Sequence, residues 1–339
     1  MDVFEFIRAL IDIDSITERE ARCGEYLVRS LQPLADRFGG QLEKMHVTGD
    51  RFNVLLTFGK PLVTLSTHYD TVPPFIPSRE DDERIWGRGA CDTKGIIGSM
   101  VWAARELLEE GSRDFALLFV VGEEQGSVGA FHAAKNGRGS RFLINGEPTE
   151  NKLALGSKGC LRFQFIAQGR SAHSAYPHLG DSAILKLLDA LERVRGVALP
   201  NHPVLGPSTL NIGTISGGDA PNVIPAHAQA EIFIRLVDDG AATAEGIRKA
   251  TDGLVEAREV LRIPAVHLKR LDGFETDVMA YTTDIPAFAG AWGEPCLLGP
   301  GTIHVAHTPH EHIPKKQVLE AIGIYKSMVK RLGAEASKI

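Results

Sequence analysis

Apolar positions along the chain repeat with two periods. Phe4, Ile7, Leu10 and Ile11 recur at helical spacing and predict a helix over 3–12. Cys23, Tyr26, Leu27, Leu31 and Leu34 predict a second over 18–37. The runs FNVLLTF (52–58) and LVTLST (62–67) are continuously apolar and rich in Val, Leu and Thr, as buried strands are. An amphipathic helix over 94–110 closes at Gly111, and FALLFVV (115–121) is another buried strand. A helix near 126–136 and the strand FLIN (142–145) follow. Strands alternating with helices predict a layered α/β domain with a partly parallel sheet.

Near residue 158 the pattern changes. LRFQFIAQG (161–169) alternates apolar and polar positions, as a strand with one wet face does. The pattern then predicts a helix over 182–195, strands TLNIGTIS (209–216) and AQAEIFIRLV (228–237), a helix near 241–261 and a strand AVHLKRL (265–271). The order β-α-β-β-α-β predicts a ferredoxin-like α+β unit of about 110 residues. Residues 286–302 are apolar and rich in Gly and Pro, and a helix is expected over 315–332. The simplest organisation is a small unit, 158–271, inserted into a larger α/β/α domain made of 1–157 and 272–339.

Composition narrows the class. The chain has 339 residues, 43% hydrophobic and 24% charged, with a formal net charge of -6. A packed core is affordable at that composition, and a disordered or fibrous chain is excluded. The balance has no basic surplus, so nucleic acid is not an expected partner. Cys23, Cys91, Cys160 and Cys296 are too scattered for a disulfide framework and fit a reducing compartment. The opening residues lack a basic stretch and cleavage site, and no apolar run reaches the ~18–20 residues of a membrane span. A cytoplasmic location is therefore expected. The unusual count is 12 His.

Acids and histidines gather where strands end. LVTLSTHYD places His68 and Asp70 after one strand; FVVGEEQGS places Glu123 and Glu124 after another; FLINGEPT places Glu147 after a third. WGRGACDTKG puts Asp92 in a Gly-rich turn before a helix. Open α/β sheets bind ligands beyond the carboxyl ends of their strands. Any one of these acids alone reads as a helix cap or solvated turn. Together they would repel one another unless cations neutralise them. Carboxylates mixed with imidazole suit Zn²⁺, with Co²⁺ or Mn²⁺ as alternatives. So many acids suggest two ions sharing a carboxylate, with a spare carboxylate as general base on the water between them. Glu123-Glu124 can supply one ligand and one base. In His68-x-Asp70 the acid can orient the imidazole. The stretch around Asp92 lacks the Gly-Lys-Ser/Thr order of a phosphate loop, and Cys91 reads as a packed small residue.

These segments together resemble the M20 family of metallopeptidases and deacylases over essentially the whole chain. The resemblance implies that Asp92 bridges two metal ions, that His68 and Glu147 complete one site, and that Glu124 and a C-terminal histidine complete the other. Among His304, His307, His310 and His312, the family's Ala-His pattern with an acid four residues on selects His307, with Glu311. Glu123 would be the general base and then proton donor, and Asp70 would orient His68. The inserted unit resembles the family's lid, which carries dimerisation in many members, so a homodimer is expected. Within it, His173 would act on the scissile carbonyl, Asn222 would lie near substrate, and Arg235 would clamp a substrate carboxylate. Phe233 stands where some members carry an Asp two residues before that Arg. Gly299 and Gly301 would offer backbone N–H groups to substrate. His178, His202, His227 and His267 are left as surface or structural residues.

Glu147-Pro148-Thr149 and Tyr176-Pro177-His178 resemble the acetylornithine deacetylase and desuccinylase branch. The expected activity is hydrolysis of a short acyl group from an N-acyl amino acid, with a dipeptidase or carboxypeptidase of the same family as the alternative. Glu275, Asp277 and Asp284 could meet a cationic substrate side chain, although solvation at the surface explains each one singly.

Overall fold

The structure, a computed structural model, describes residues 1–338. By contacts the chain forms two compact units. The first comprises Met1–Leu155, Leu268–Asp277 and Thr283–Ile339; the second comprises Gly156–His267 and Val278–Thr282. No helix among the described residues is long and apolar enough to cross a membrane.

The first unit is built on a six-stranded sheet. Its order is Gln41–Thr48, Arg51–Phe58, Phe115–Val120, Val63–His68, Phe142–Asn145 and Glu294–Leu297. The last four are mutually parallel, so their carboxyl ends share one edge. Val63–His68 and Phe115–Val120 are buried at every position, which is why they read as unbroken apolar runs. Gln41–Thr48 left no such run: it is an outer strand with only Met45 buried. The helix Val3–Ile11 starts at a capping box, Asp2 and Glu5 each accepting the other's backbone N–H at 2.8 Å. It buries Phe6, Ile7, Leu10 and Ile11 in the core. Each such side chain contributes about 1.5–3 kcal/mol. The helices Gly95–Glu109 and Lys315–Ala336 pack on each other in the same core, Ser99 Oγ donating to Val318 O at 3.2 Å.

The second unit has the order β-α-β-β-α-β, with an antiparallel sheet ordered Thr209–Gly217, His227–Leu236, Gly159–Gln168, Glu256–Ile263. Helices Ala183–Arg195 and Ala241–Thr251 bury Leu187, Leu191 and Ile247 against Leu161, Phe163, Phe165 and Ile232. One expectation fails here. The helix expected over 241–261 ends at Thr251, and Glu256–Ile263 is the last sheet strand. Gly253, with φ 73°, turns the chain, and pairing with Gly159–Gln168 takes over from a helical pattern. Of the expected strand 265–271, only Val266–His267 is extended and paired.

Candidate metal centre

Five short segments of the first unit converge at the carboxyl edge of its sheet. His68 is the last residue of its strand and is buried. Its Nδ1 donates to Asp70 O at 3.0 Å and lies 3.4 Å from Asp70 Oδ1, which leaves Nε2 facing Asp92 Oδ1 at 3.1 Å. A ligating imidazole is held in this way, one nitrogen fixed by an acid or carbonyl and the other presented.

Asp92 sits between two imidazoles. Its second oxygen, Oδ2, is 3.1 Å from His307 Nε2, which is also 3.0 Å from Glu124 Oε1. His68, Asp92 and Glu147 form one set of donors and Asp92, Glu124 and His307 another, each with its ligand atoms within 4.8 Å of one another. Of the four candidate histidines in the C-terminal loop, His307 is the one brought to the acids. His304 and His310 are exposed, and His312 Nδ1 is bonded to His310 O at 2.8 Å. His307 takes a left-handed backbone, φ 63°, and is 50% exposed at its side chain, whereas every member of the first set is buried.

Asp70 does more than orient His68. Its carboxylate accepts the backbone N–H of Glu123 at 3.1 Å and of Glu124 at 3.3 Å, and the Thr17 hydroxyl at 2.9 Å. Next to it, Ser15 Oγ donates to Tyr69 O at 2.8 Å and Thr71 N donates to Ser15 O at 3.0 Å. The turn bearing the two glutamates is thus fixed by the acid that fixes the histidine. Burial drives the Asp70 carboxyl up, but bonding to His68 and Thr17 outweighs it and holds the group below its ordinary range.

The electrostatics shows what the cluster lacks in positive charge. Burial pushes the Glu123 and Glu147 carboxyls well above the ordinary range; neighbouring carboxylates add to this and His68 opposes it. Burial works against charge on His68, yet Asp70 and Asp92 hold that imidazole well above its usual value. His307 is pushed up to about 10 by bonding to Asp92 and then Glu124. Glu147 Oε1 is buried with no hydrogen-bond partner among the described residues. Two divalent cations fit this set: they would take over the charge that otherwise falls to protons, and would give the orphaned Glu147 oxygen a partner.

Asp284 is not a solvated surface acid. It is 1% exposed, at the start of the short helix Ile285–Phe288, with the Ser127 side chain as its polar neighbour and no well-formed hydrogen bond to either carboxyl oxygen among the described residues. Burial raises its carboxyl to about 7, with Asp70 and Glu124 adding to the rise. Glu275 and Asp277 are exposed. No periodicity marked Asp284; the one available signal was an acid immediately before an apolar Ile-Pro run.

Gly299 and Gly301 do not present free N–H groups. Gly299 N donates to Thr149 Oγ1 at 3.0 Å and Gly301 N to Gln317 Oε1 at 2.7 Å. The first of these bonds braces Glu147-Pro148-Thr149, and the second ties the loop to the helix Lys315–Ala336. A Cβ at Gly299 would lie 2.6 Å from Glu147 O, so a side chain there would displace that segment. All four cysteines are free and buried.

His173, Asn222 and Arg235 belong to the second unit. Ala172–His173 pairs with Val223–Ile224, and Ser174 N donates to Asn222 O at 3.1 Å, so His173 and Asn222 are neighbours. His173 Nδ1 accepts the Ala175 N–H at 3.1 Å, which puts the ring proton on Nε2. The Arg235 guanidinium lies 4.8 Å from the Phe233 ring centroid, and no ion pair to an acid forms among the described residues. Phe233 thus offers the guanidinium a flat apolar support rather than a charge.

Residues 64–331 match the sequence profile of peptidase family M20/M25/M40. A peptidase M20 domain-containing protein of Schizosaccharomyces pombe is 38% identical, over 95% of this chain and 82% of its own. A probable carboxypeptidase of Aspergillus terreus is 37% identical, over 96% and 85%. Among solved structures, an M20 family metallo-carboxypeptidase from Sulfolobus solfataricus shares the fold with a TM-score of 0.79 at 18% identity, over 98% of this chain and 99% of that one. A dinuclear metal-binding M20 peptidase from Bacillus subtilis does so with a TM-score of 0.71 at 14% identity, over 98% of each.

Proposed function

Because the chain belongs to peptidase family M20 and is a hydrolase of amide bonds, we propose that it is a two-metal exopeptidase of the carboxypeptidase or dipeptidase kind, acting on short peptides with a free carboxylate. The observation that carries this reading is the pair of three-donor sets sharing Asp92, with Glu123 beside them and in neither. His68, Asp92 and Glu147 would hold one cation, and Asp92, Glu124 and His307 the other. The donor set suits zinc, with cobalt or manganese as alternatives. Bound there, the cations supply Lewis-acid polarisation of the amide carbonyl and acidify water.

The chain's own residues do the proton work. Glu123 takes a proton from the attacking water and returns it to the leaving nitrogen, a task suited by a carboxyl that burial holds well above its ordinary range. Asp70 keeps the Glu123-Glu124 turn and His68 in register. From the second unit, the family resemblance assigns His173 as donor to the developing oxyanion. It assigns Asn222 as a substrate contact and Arg235 as the clamp for the substrate carboxylate. The support for Arg235 is its lack of an acid partner among the described residues.

The probable-carboxypeptidase name of a 37% identical relative favours peptides over N-acyl amino acids. The acetylornithine deacetylase reading keeps the support of Glu147-Pro148-Thr149 and Tyr176-Pro177-His178. A panel of dipeptides, their C-terminal amides and N-acetylornithine, assayed with Zn²⁺, Co²⁺ and Mn²⁺, tests the choice. Dipeptides should turn over and their amides should not; faster turnover of N-acetylornithine than of any dipeptide overturns the peptidase reading.

A further inference from the structure

The turn that carries Asp92 is irregular. Asp92 and Thr93 have φ/ψ of -122°/80° and -138°/23°, outside the helical region, although helix Gly95–Glu109 begins two residues later. The N–H groups of Cys91 and Asp92 therefore point at no helical carbonyl, in a segment that is entirely buried. Glu311 receives both: its Oε1 is 3.3 Å from Cys91 N and 3.3 Å from Asp92 N. Its other oxygen, Oε2, accepts from Arg88 Nη1 at 2.6 Å. Arg88 and Glu311 are each only 2% exposed, and Arg88 Nε also donates to Pro74 O at 3.3 Å.

A buried ion pair is poor evidence of stabilisation, because apolar residues of similar volume commonly serve the fold as well or better. What an apolar pair cannot do is accept two amide protons beside Asp92. Glu311 lies four residues after His307 on the same loop. That loop thus delivers a donor to the second set and, through Glu311, grips the backbone of the acid common to both. We propose that Glu311, neutralised and aimed by Arg88, is a positioning residue for Asp92 that sets how the shared carboxylate meets His68 and His307. Its work is cation retention and geometry rather than folding. The inference rests on the two-cation reading above.

The test compares two double variants, Arg88→Met/Glu311→Leu and Arg88→Met/Glu311→Gln, with the parent chain. The readouts are metal stoichiometry and affinity by titration of the metal-free protein with Co²⁺, the Co²⁺ absorption spectrum, and Tm. The Leu variant should fold with a Tm close to the parent's but lose about 10–100-fold in Co²⁺ affinity, with an altered spectrum. The Gln variant keeps an oxygen for the two amides and should recover most of that loss. Parent-like affinity and spectrum in the Leu variant overturn the inference. So does an unfolded Leu variant, because the brace would then serve the fold. A parent chain that binds no Co²⁺ would instead sink the two-cation reading itself.

Discussion

At the scale of single residues, Glu123 is separable from the proposed metal ligands because it belongs to neither donor set. Glu123→Gln should lower kcat by about 10²–10⁴-fold while leaving metal content intact; an unchanged kcat assigns the base elsewhere. His307→Ala should reduce bound metal from two ions to one per chain. Retention of two would move the ligand to a neighbouring histidine. Asp284 gives a pH signature in the metal-free protein. Burial lifts its carboxyl from the ordinary 3.8 to about 7, so its neutral form is favoured in the fold. The stability it contributes is complete below pH 4 and is lost as pH rises through 7. Asp284→Asn should flatten the fall of Tm between those values, and an unaltered slope would discard the assignment. His68, Asp92, Glu124 and Glu147 were legible because acids and imidazoles at strand ends are conspicuous. The Thr17 bond to Asp70, the burial of Asp284 and the grip of Glu311 on backbone amides were not, because contacts between segments far apart in the chain leave no spacing in the sequence.

At the scale of elements, fully buried strands announced themselves and exposed ones did not. Gln41–Thr48 has one buried position and was invisible. Glu256–Ile263 reads as helix because six residues of EAREVLRI are helix formers and only Val260 and Ile263 favour a strand, so its pairing with Gly159–Gln168 decides. The edge strand Thr209–Gly217 carries Ile215 at 55% exposure, and the helix Ala183–Arg195 carries Leu185 at 62%. An uncovered edge with apolar residues invites another strand. Under the homodimer reading, Ile215→Glu and Leu185→Glu should each yield monomers by light scattering. A chain already monomeric before substitution would refute that reading.

At the scale of the whole molecule, an α/β chain with a second α+β portion was readable from the order of periodicities, because each half changes texture where its sheet changes from buried on both faces to buried on one. The net charge of -6 was harder to interpret until five acids were found beside one sheet edge, where bound cations would offset part of it. The family match starts at residue 64, yet the support of the candidate metal centre reaches further back. Thr17 holds Asp70, Ser15 brackets the same segment, and the buried Lys94, two residues after Asp92, donates to Leu10 O and Ile13 O at 2.9 Å each. A fragment cut to residues 64–331 would keep every proposed ligand and the base. It would nonetheless lose the props behind two of its loops, so the boundary by which the family is recognised is not a boundary at which this enzyme can be trimmed.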